Sequence, residues 1–303
     1  MEYRELLPDA SLRHVVRCYW FLTGDDVSGE PGEPALPDGS PELIINLADP
    51  FQTFGADAAP MVQPLSMLVG QITGPFVVGP TGRVRLVAVR FEPHGAAVLC
   101  PSMMAITNGW RDLGDCAALD VAALRRALAE APTDSACAPI LDALLQHVVT
   151  GASTPDRRVA RAVLAIRAAH GVVVQDAIAR DAGTTPRTLQ RLFATQVGIS
   201  PKLLARITRF QRVFRSWQQE PNTLARVAAE CGYFDQSHLV RDFRDFAGAA
   251  PAWPSCGAER RRHGYFASTV TNGVRATSRQ RSPRWACATG RVLWRVPPGN
   301  RLA

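Results

Sequence analysis

The chain has 303 residues, 47% of them hydrophobic, with 34 basic and 27 acidic side chains and a formal charge of +7. That length suits two domains with a core in each, and the composition excludes a fibrous or wholly disordered protein. No uncharged apolar run approaches the roughly 20 residues that span a bilayer, and acids in the opening Met1-Glu2-Tyr3-Arg4-Glu5 argue against an export signal.

The charge is unevenly placed. Residues 1–152 hold nine arginines against eighteen acids, a net of −9, whereas residues 153–256 carry +7 and residues 257–303 carry +9. An acidic front and a basic back mean that the back alone suits a polyanion. The seven cysteines are scattered and form no Cys-x-x-Cys pair. They fit reduced thiols in a cytoplasmic protein with no metal or other cofactor, rather than a disulfide framework or zinc cluster.

In chain order, residues 1–100 read as strands and turns. Leu43–Leu47, Met67–Gly70 and Val84–Phe91 are short β-branched or apolar runs, separated by Pro37-Asp38-Gly39, Asp49-Pro50 and Pro80-Thr81-Gly82. Arg85 and Arg90 stand on opposite parities of the third run, which points to a bulge or strand exit at one end. Helical spacing is expected over Gly95–Met104, behind the Asp120 cap to Leu128, and over Ile140–Val149. The reading is an α+β regulatory or sensor domain over 1–150, rich in strands. Gly151 to Asp156 is a polar, breaker-containing boundary, after which strands disappear. Val159–Ala169 is helical and closes at His170-Gly171.

An internal repeat follows. Leu189, Arg191, Phe193, Gly198 and Pro201 recur 50 residues later as Leu239, Arg241, Phe243, Gly248 and Pro251. Ala179 and Gly183 recur 49 residues later as Ala228 and Gly232, so one residue enters the second turn. Each unit describes a helix, a Gly-containing turn and a second helix closed by Gly, the arithmetic of a helix-turn-helix. In the first unit, Val174–Ala182 supports a helix capped by Thr185 with Pro186 at its first position. Leu189, Leu192, Phe193 and Gln196 share one side of that helix; Arg187, Gln190, Arg191 and Ala194 share another. In the second, Thr223 caps the supporting helix and Asp235 the next. There Leu239, Phe243 and Phe246 point inward, while Ser237, Val240, Arg241 and Arg244 point outward beside Gln236. Arg can bond guanine bidentately and Gln can do the same for adenine. Asp242 and Asp245 would repel phosphate and belong off this face. Between the units, Ser200-Pro201 opens a helix reaching Trp217, about 24 Å of rod at about 1.5 Å per residue. Two recognition helices on its ends would stand about 34 Å apart, one turn of B-DNA.

At these residues the chain resembles the AraC/XylS family of bacterial transcription regulators. The resemblance is carried by Thr185-Pro186-Arg187-Thr188-Leu189-Gln190-Arg191-Leu192-Phe193, by Val197-Gly198-Ile199-Ser200-Pro201, and by Gly232 through Phe243. It implies a seven-helix DNA-binding domain over 157–254, with base contact at Arg187, Gln190, Arg191, Gln236, Ser237, Val240 and Arg241. Its implied partners are double-stranded promoter DNA and RNA polymerase, with a small-molecule effector and a second copy of the chain as candidates. The chain departs from the family at Ala252-Trp253-Pro254, where an aromatic-Arg pair usually closes the last helix. Pro37–Leu43, Gly70-Gln71 and Arg90–Ala96 look like segments of a domain fused to such regulators.

Other constellations are weaker. Glu92, His94 and Asp38 have no spacing that ties them into a metal or acid–base site. Trp20, Phe21 and Trp110 could line a small-molecule pocket, although core packing is the simpler role. His238 and Tyr233 read as packing residues. The tail 257–303 reads as disordered, as a basic arm on DNA, or as an accidental extension. A DNA-alkylation repair protein is the alternative, but Cys256 lacks the Pro-Cys-His-Arg setting that an activated, methyl-accepting cysteine needs, and no Gly-x-Ser-x-Gly elbow marks a hydrolase. The expectation is a regulator without enzymatic activity.

Overall fold

The computed structural model describes residues 1–25, 32–54, 59–115, 119–152, 155–217 and 223–251. The readings made for 252–303, Cys256 and the closing helix among them, lie outside the described residues.

Among the described residues the first half holds ten strands: β1 (Glu2–Leu6), β2 (Val16–Gly24), β3 (Glu33–Ala35), β4 (Glu42–Asn46), β5 (Phe51–Phe54), β6 (Met61–Val62), β7 (Ser66–Val69), β8 (Phe76–Pro80), β9 (Val84–Phe91) and β10 (Trp110–Asp112). They pair antiparallel into a six-stranded sheet, ordered β1-β2-β9-β4-β7-β10, and a four-stranded sheet, ordered β3-β8-β5-β6. Two helices follow, α1 (Val121–Glu130) and α2 (Asp134–Gly151), capped by Asp120 and Thr133. Alternation along the central strands sorts side chains to two faces. Tyr19, Phe21, Leu43, Ile45, Val87, Val89 and Phe91 face a core shared with Leu124, Leu128, Leu141 and Leu145 of the helices. Trp20, Leu22, Val84, Leu86 and Ala88 form a smaller core on the other face.

The structure bears out core packing for Trp20 and Phe21 and corrects two other expectations. Trp20 and Phe21 lie on opposite faces, so they do not line one pocket; Trp110 instead meets Phe76 edge-on at 6.1 Å. The irregularity foreseen in Val84–Phe91 is not in β9: the register shift falls in β2, between Val16 and Cys18. Both arginines are absorbed without it. Arg85 turns towards α1 and donates to the carbonyls of Leu128, Ala129 and Ala131, a helix C-terminus that favours a cation. Arg90 turns the other way and is buried. Finally, Gly95–Met104 is not one helix but two 3-10 turns, Gly95–Val98 and Met103–Ile106, separated by Leu99 to Ser102 with Pro101 removing an N–H donor.

The second half is helical: α3 (Arg157–Ala168), α4 (Gln175–Asp181), α5 (Pro186–Gln196), α6 (Pro201–Trp217), α7 (Leu224–Glu230) and α8 (Gln236–Ala247). One core, from Val159 to Phe246, runs through all six. Phe210 is at its centre, within 5.0–5.2 Å of the rings of Phe214, Phe243 and Phe246.

The halves touch along α3, α5 and α6. Glu92 pairs with Arg167, Thr107 Oγ1 donates to Gly198 O at 2.8 Å, and Gln211 Nε2 donates to Pro37 O at 2.6 Å. Gly39, at φ +79, lies against α6 so closely that a Cβ would sit 2.9 Å from Leu204 Cδ1. The Glu92, His94 and Asp38 set does not converge, since Asp38 turns to Arg90, 3.6 Å from Nε. His94 is buried beside Glu92, and its Nδ1 has no hydrogen-bond partner. Burial holds its pKa below the usual 6.5 despite the Glu92 charge. The unfolded chain therefore takes up this proton first, and stability is lost as pH falls below 6.5 towards the lower folded value. The urea midpoint is expected to fall between about pH 7 and about pH 5.5, with a smaller fall in His94→Gln.

Candidate nucleic-acid interface

Each helix-turn-helix is specified locally. Thr185 is extended and its hydroxyl accepts from Thr188 N–H, with Pro186 at the first helical position of α5. Asp235 caps α8 in the same way, Oδ1 accepting from His238 N–H at 2.7 Å, and α8 ends at Gly248 in the left-handed region. Thr185→Ala is expected to cost about 1 kcal/mol, read as a lower urea midpoint with an unchanged slope. Ser200 opens α6 by accepting from Leu203 N–H.

The buried sides are those expected: Leu189 and Phe193 in α5, and Leu239, Phe243 and Phe246 in α8. Gln196, placed on the inward side, accepts from Asp156 N–H at 2.9 Å and ties α5 to the start of α3. On the outward sides, Arg187, Gln190, Arg191, Gln236, Ser237 and Arg241 are exposed and Val240 is half-buried. The first three share one face of α5 and the last four gather on the N-terminal turns of α8.

The sequence reading missed what orients α8. Asp242 is buried, and its Oδ1 accepts from Arg206 Nε at 3.0 Å and Nη2 at 2.7 Å, while Arg209 Nη2 lies 3.8 Å from Oδ2. Arg206 also pairs with Asp245 and lies over the Phe246 ring at 4.9 Å. Burial works against the Arg206 charge, but the two carboxylates outweigh it and raise its pKa. Arg206 and Arg209 are three apart, one face of α6; without the packing, nothing separates them from ordinary surface cations. At the same repeat position α5 has Leu192, half-buried against the core. Helix α5 is thus held by apolar packing and the Gln196 hydrogen bond, α8 also by ions.

Residues 178–252 match the family described as Helix-turn-helix domain. The chain carries an AraC/XylS-type DNA-binding domain and is a transcription regulator. Residues 4–109 match a Domain of unknown function, DUF6597. No curated protein matches this regulator. Among solved structures, ToxT from Vibrio cholerae is 11% identical over 77% of this chain and 96% of that one, with a TM-score of 0.42. ToxT of Vibrio cholerae O395 bound to (E)-4-(8-methylnaphthalen-1-yl)but-3-enoic acid is 9% identical over 77% and 97%, at 0.42. Wild-type ToxT with unsaturated fatty acid bound is 9% identical over 76% and 92%, at 0.40.

The AraC/XylS-type domain is joined to a first half with its own polar interior. Arg90 is buried between Glu42, whose Oε1 is 2.7 Å from Nε, and Glu5, 3.3 Å from Nη1. Burial opposes the Arg90 charge, but Glu42 and Asp38 raise its pKa regardless. Burial also pushes the Glu42 pKa up, in spite of Arg90, and lifts the Cys18 thiol to about 12. No helix among the described residues is long and apolar enough to cross a membrane.

Proposed function

We propose that this regulator reads two adjacent major grooves on one face of promoter DNA, with α5 and α8 as recognition helices. Arg187, Gln190 and Arg191 would contact one half-site, and Gln236, Ser237, Val240 and Arg241 the other. The observation that carries this is the outward placement of both sets on helices that share α6 and one core. The protein would act by binding alone, in the cytoplasm, with no catalytic step. Residues 1–150 would form the regulatory domain and 157–254 the DNA-binding domain; RNA polymerase, an effector and a second copy of the chain complete the proposed partners.

Regulation would pass through the Pro37-Asp38-Gly39 turn. Its Asp38 reaches the buried Arg90 cluster, its Pro37 carbonyl accepts from Gln211 of α6, and Gly39 O accepts from buried Gln71. An effector that takes Arg90 from Asp38 would release the turn from one side. Gln211→Ala is therefore expected to shift DNA affinity of the full chain by about 1 kcal/mol, the scale of one hydrogen bond, measured by fluorescence anisotropy.

Capture of random-sequence duplexes by the purified chain tests the main reading. Enriched sites should carry two motifs about 10 base pairs apart and protect one face of the duplex. A single short motif would contradict the two-groove arrangement.

A further inference from the structure

The two helix-turn-helix units differ by one residue in the turn, and their backbone bonds identify it. In the first, Gly183 N–H donates to Arg180 O and Thr184 N–H to Ala179 O, both at 2.9 Å, and Thr185 caps the next helix. In the second, Gly232 N–H donates to Ala229 O at 3.1 Å and Tyr233 N–H to Ala228 O at 2.9 Å, and Asp235 is the cap. Thr184 corresponds to Tyr233 and Thr185 to Asp235. Phe234 stands between them without a counterpart, and it is 94% exposed.

Both neighbours are fixed. Tyr233 is buried, edge-on to the His238 ring at 5.5 Å, with the Arg209 guanidinium 5.0 Å from its centroid. Asp235 is committed to the cap. Phe234 is therefore held outward at the N-terminal end of α8, next to Gln236 and Ser237. It adds nothing to the core, and what singles it out is its place, at the start of α8 beside the outward Gln236 and Ser237. The major groove offers one apolar group, the C5-methyl of thymine.

We propose that Phe234 is a specificity-determining residue whose ring packs on a thymine methyl at the edge of the half-site read by α8. This rests on the DNA-binding reading above. The half-site read by α5, with no equivalent residue, would be read by hydrogen bonds alone. Val172 packs at Gly232 of the same turn and Val174 is exposed nearby in sequence, so contact with a protein partner is the competing outcome.

A duplex selected from random-sequence DNA by the full chain is remade with deoxyuridine in place of one thymidine at a time. It is then bound to wild-type, Phe234→Ala and Arg241→Ala protein. At one position, loss of the methyl should weaken the wild type about fourfold, the scale of one buried methyl-sized group, and leave Phe234→Ala unchanged. Arg241→Ala should be weak on the parent duplex and still feel the loss of that methyl. Wild-type affinity of Phe234→Ala on the parent duplex overturns the proposal, and a loss of promoter activation would then assign the ring to a protein. A weakened Phe234→Ala with no methyl-sensitive position overturns it too. If Arg241→Ala and Arg191→Ala also bind like wild type, the DNA-reading faces themselves are wrong.

Discussion

Arg241→Ala is expected to weaken binding to a selected site by about 1–3 kcal/mol, roughly 5- to 150-fold. Arg241 lies on the outward side of α8 in line with Ser237, one turn earlier, and forms no ion pair among the described residues. Its guanidinium is therefore available as a fork for guanine, a contact that depends on sequence. A base-reading arginine and a phosphate-binding one separate in the measurement. Loss of the first should be large on the selected duplex and small on a scrambled one, whereas loss of the second should be similar on both and should lower the salt slope by about 1. Arg191→Ala, the same position in the first unit, should behave alike. Wild-type affinity in both variants would remove the basis for these faces.

Asp242→Ala should cost about 3 kcal/mol of stability, seen as a lower urea midpoint, because breaking a buried ion pair leaves its partners uncompensated. Arg206 and Arg209, one turn apart on α6, would then face α8 without the carboxylate that joins them to it. Asp245→Ala is the control. That carboxylate is half exposed and bonds the same Arg206, so its loss should cost less than about 1 kcal/mol. Equal effects at the two positions would show that Asp242 has no special structural role.

The helical half was largely legible because its signals are local. Thr185, Pro186, Thr223, Asp235 and Gly248 mark helix ends through their own backbone, and the 50-residue echo pairs the two units. The first half was less so. Pro8-Asp9 and Gly24-Asp25 bound β1 and β2 much as other turns bound β4 and β9, but the six-stranded order depends on pairing between distant segments. Charge set Asp242 apart from the outward side chains of α8, and it is buried, but its partners follow from packing that no spacing records. The added residue was visible in the 49- against 50-residue shift, but that it is Phe234 emerged from the backbone bonds of the two turns, and its exposure from the fold.

If α5 and α8 read DNA as proposed, the single core shared by α3 to α8 sets a condition on promoters as well as on the protein. A flexible tether between two reading heads would let each find its motif at varied spacing. Here both heads are seated on α6, so their rotational phase is built in. Each base pair inserted between the motifs turns one of them by about 35° around the duplex axis. Under the proposed two-groove reading, a binding site could drift in sequence one base at a time, but changing its length by even one pair would disengage a whole helix. Mutational histories of such operators should be rich in substitutions and poor in insertions or deletions between the motifs.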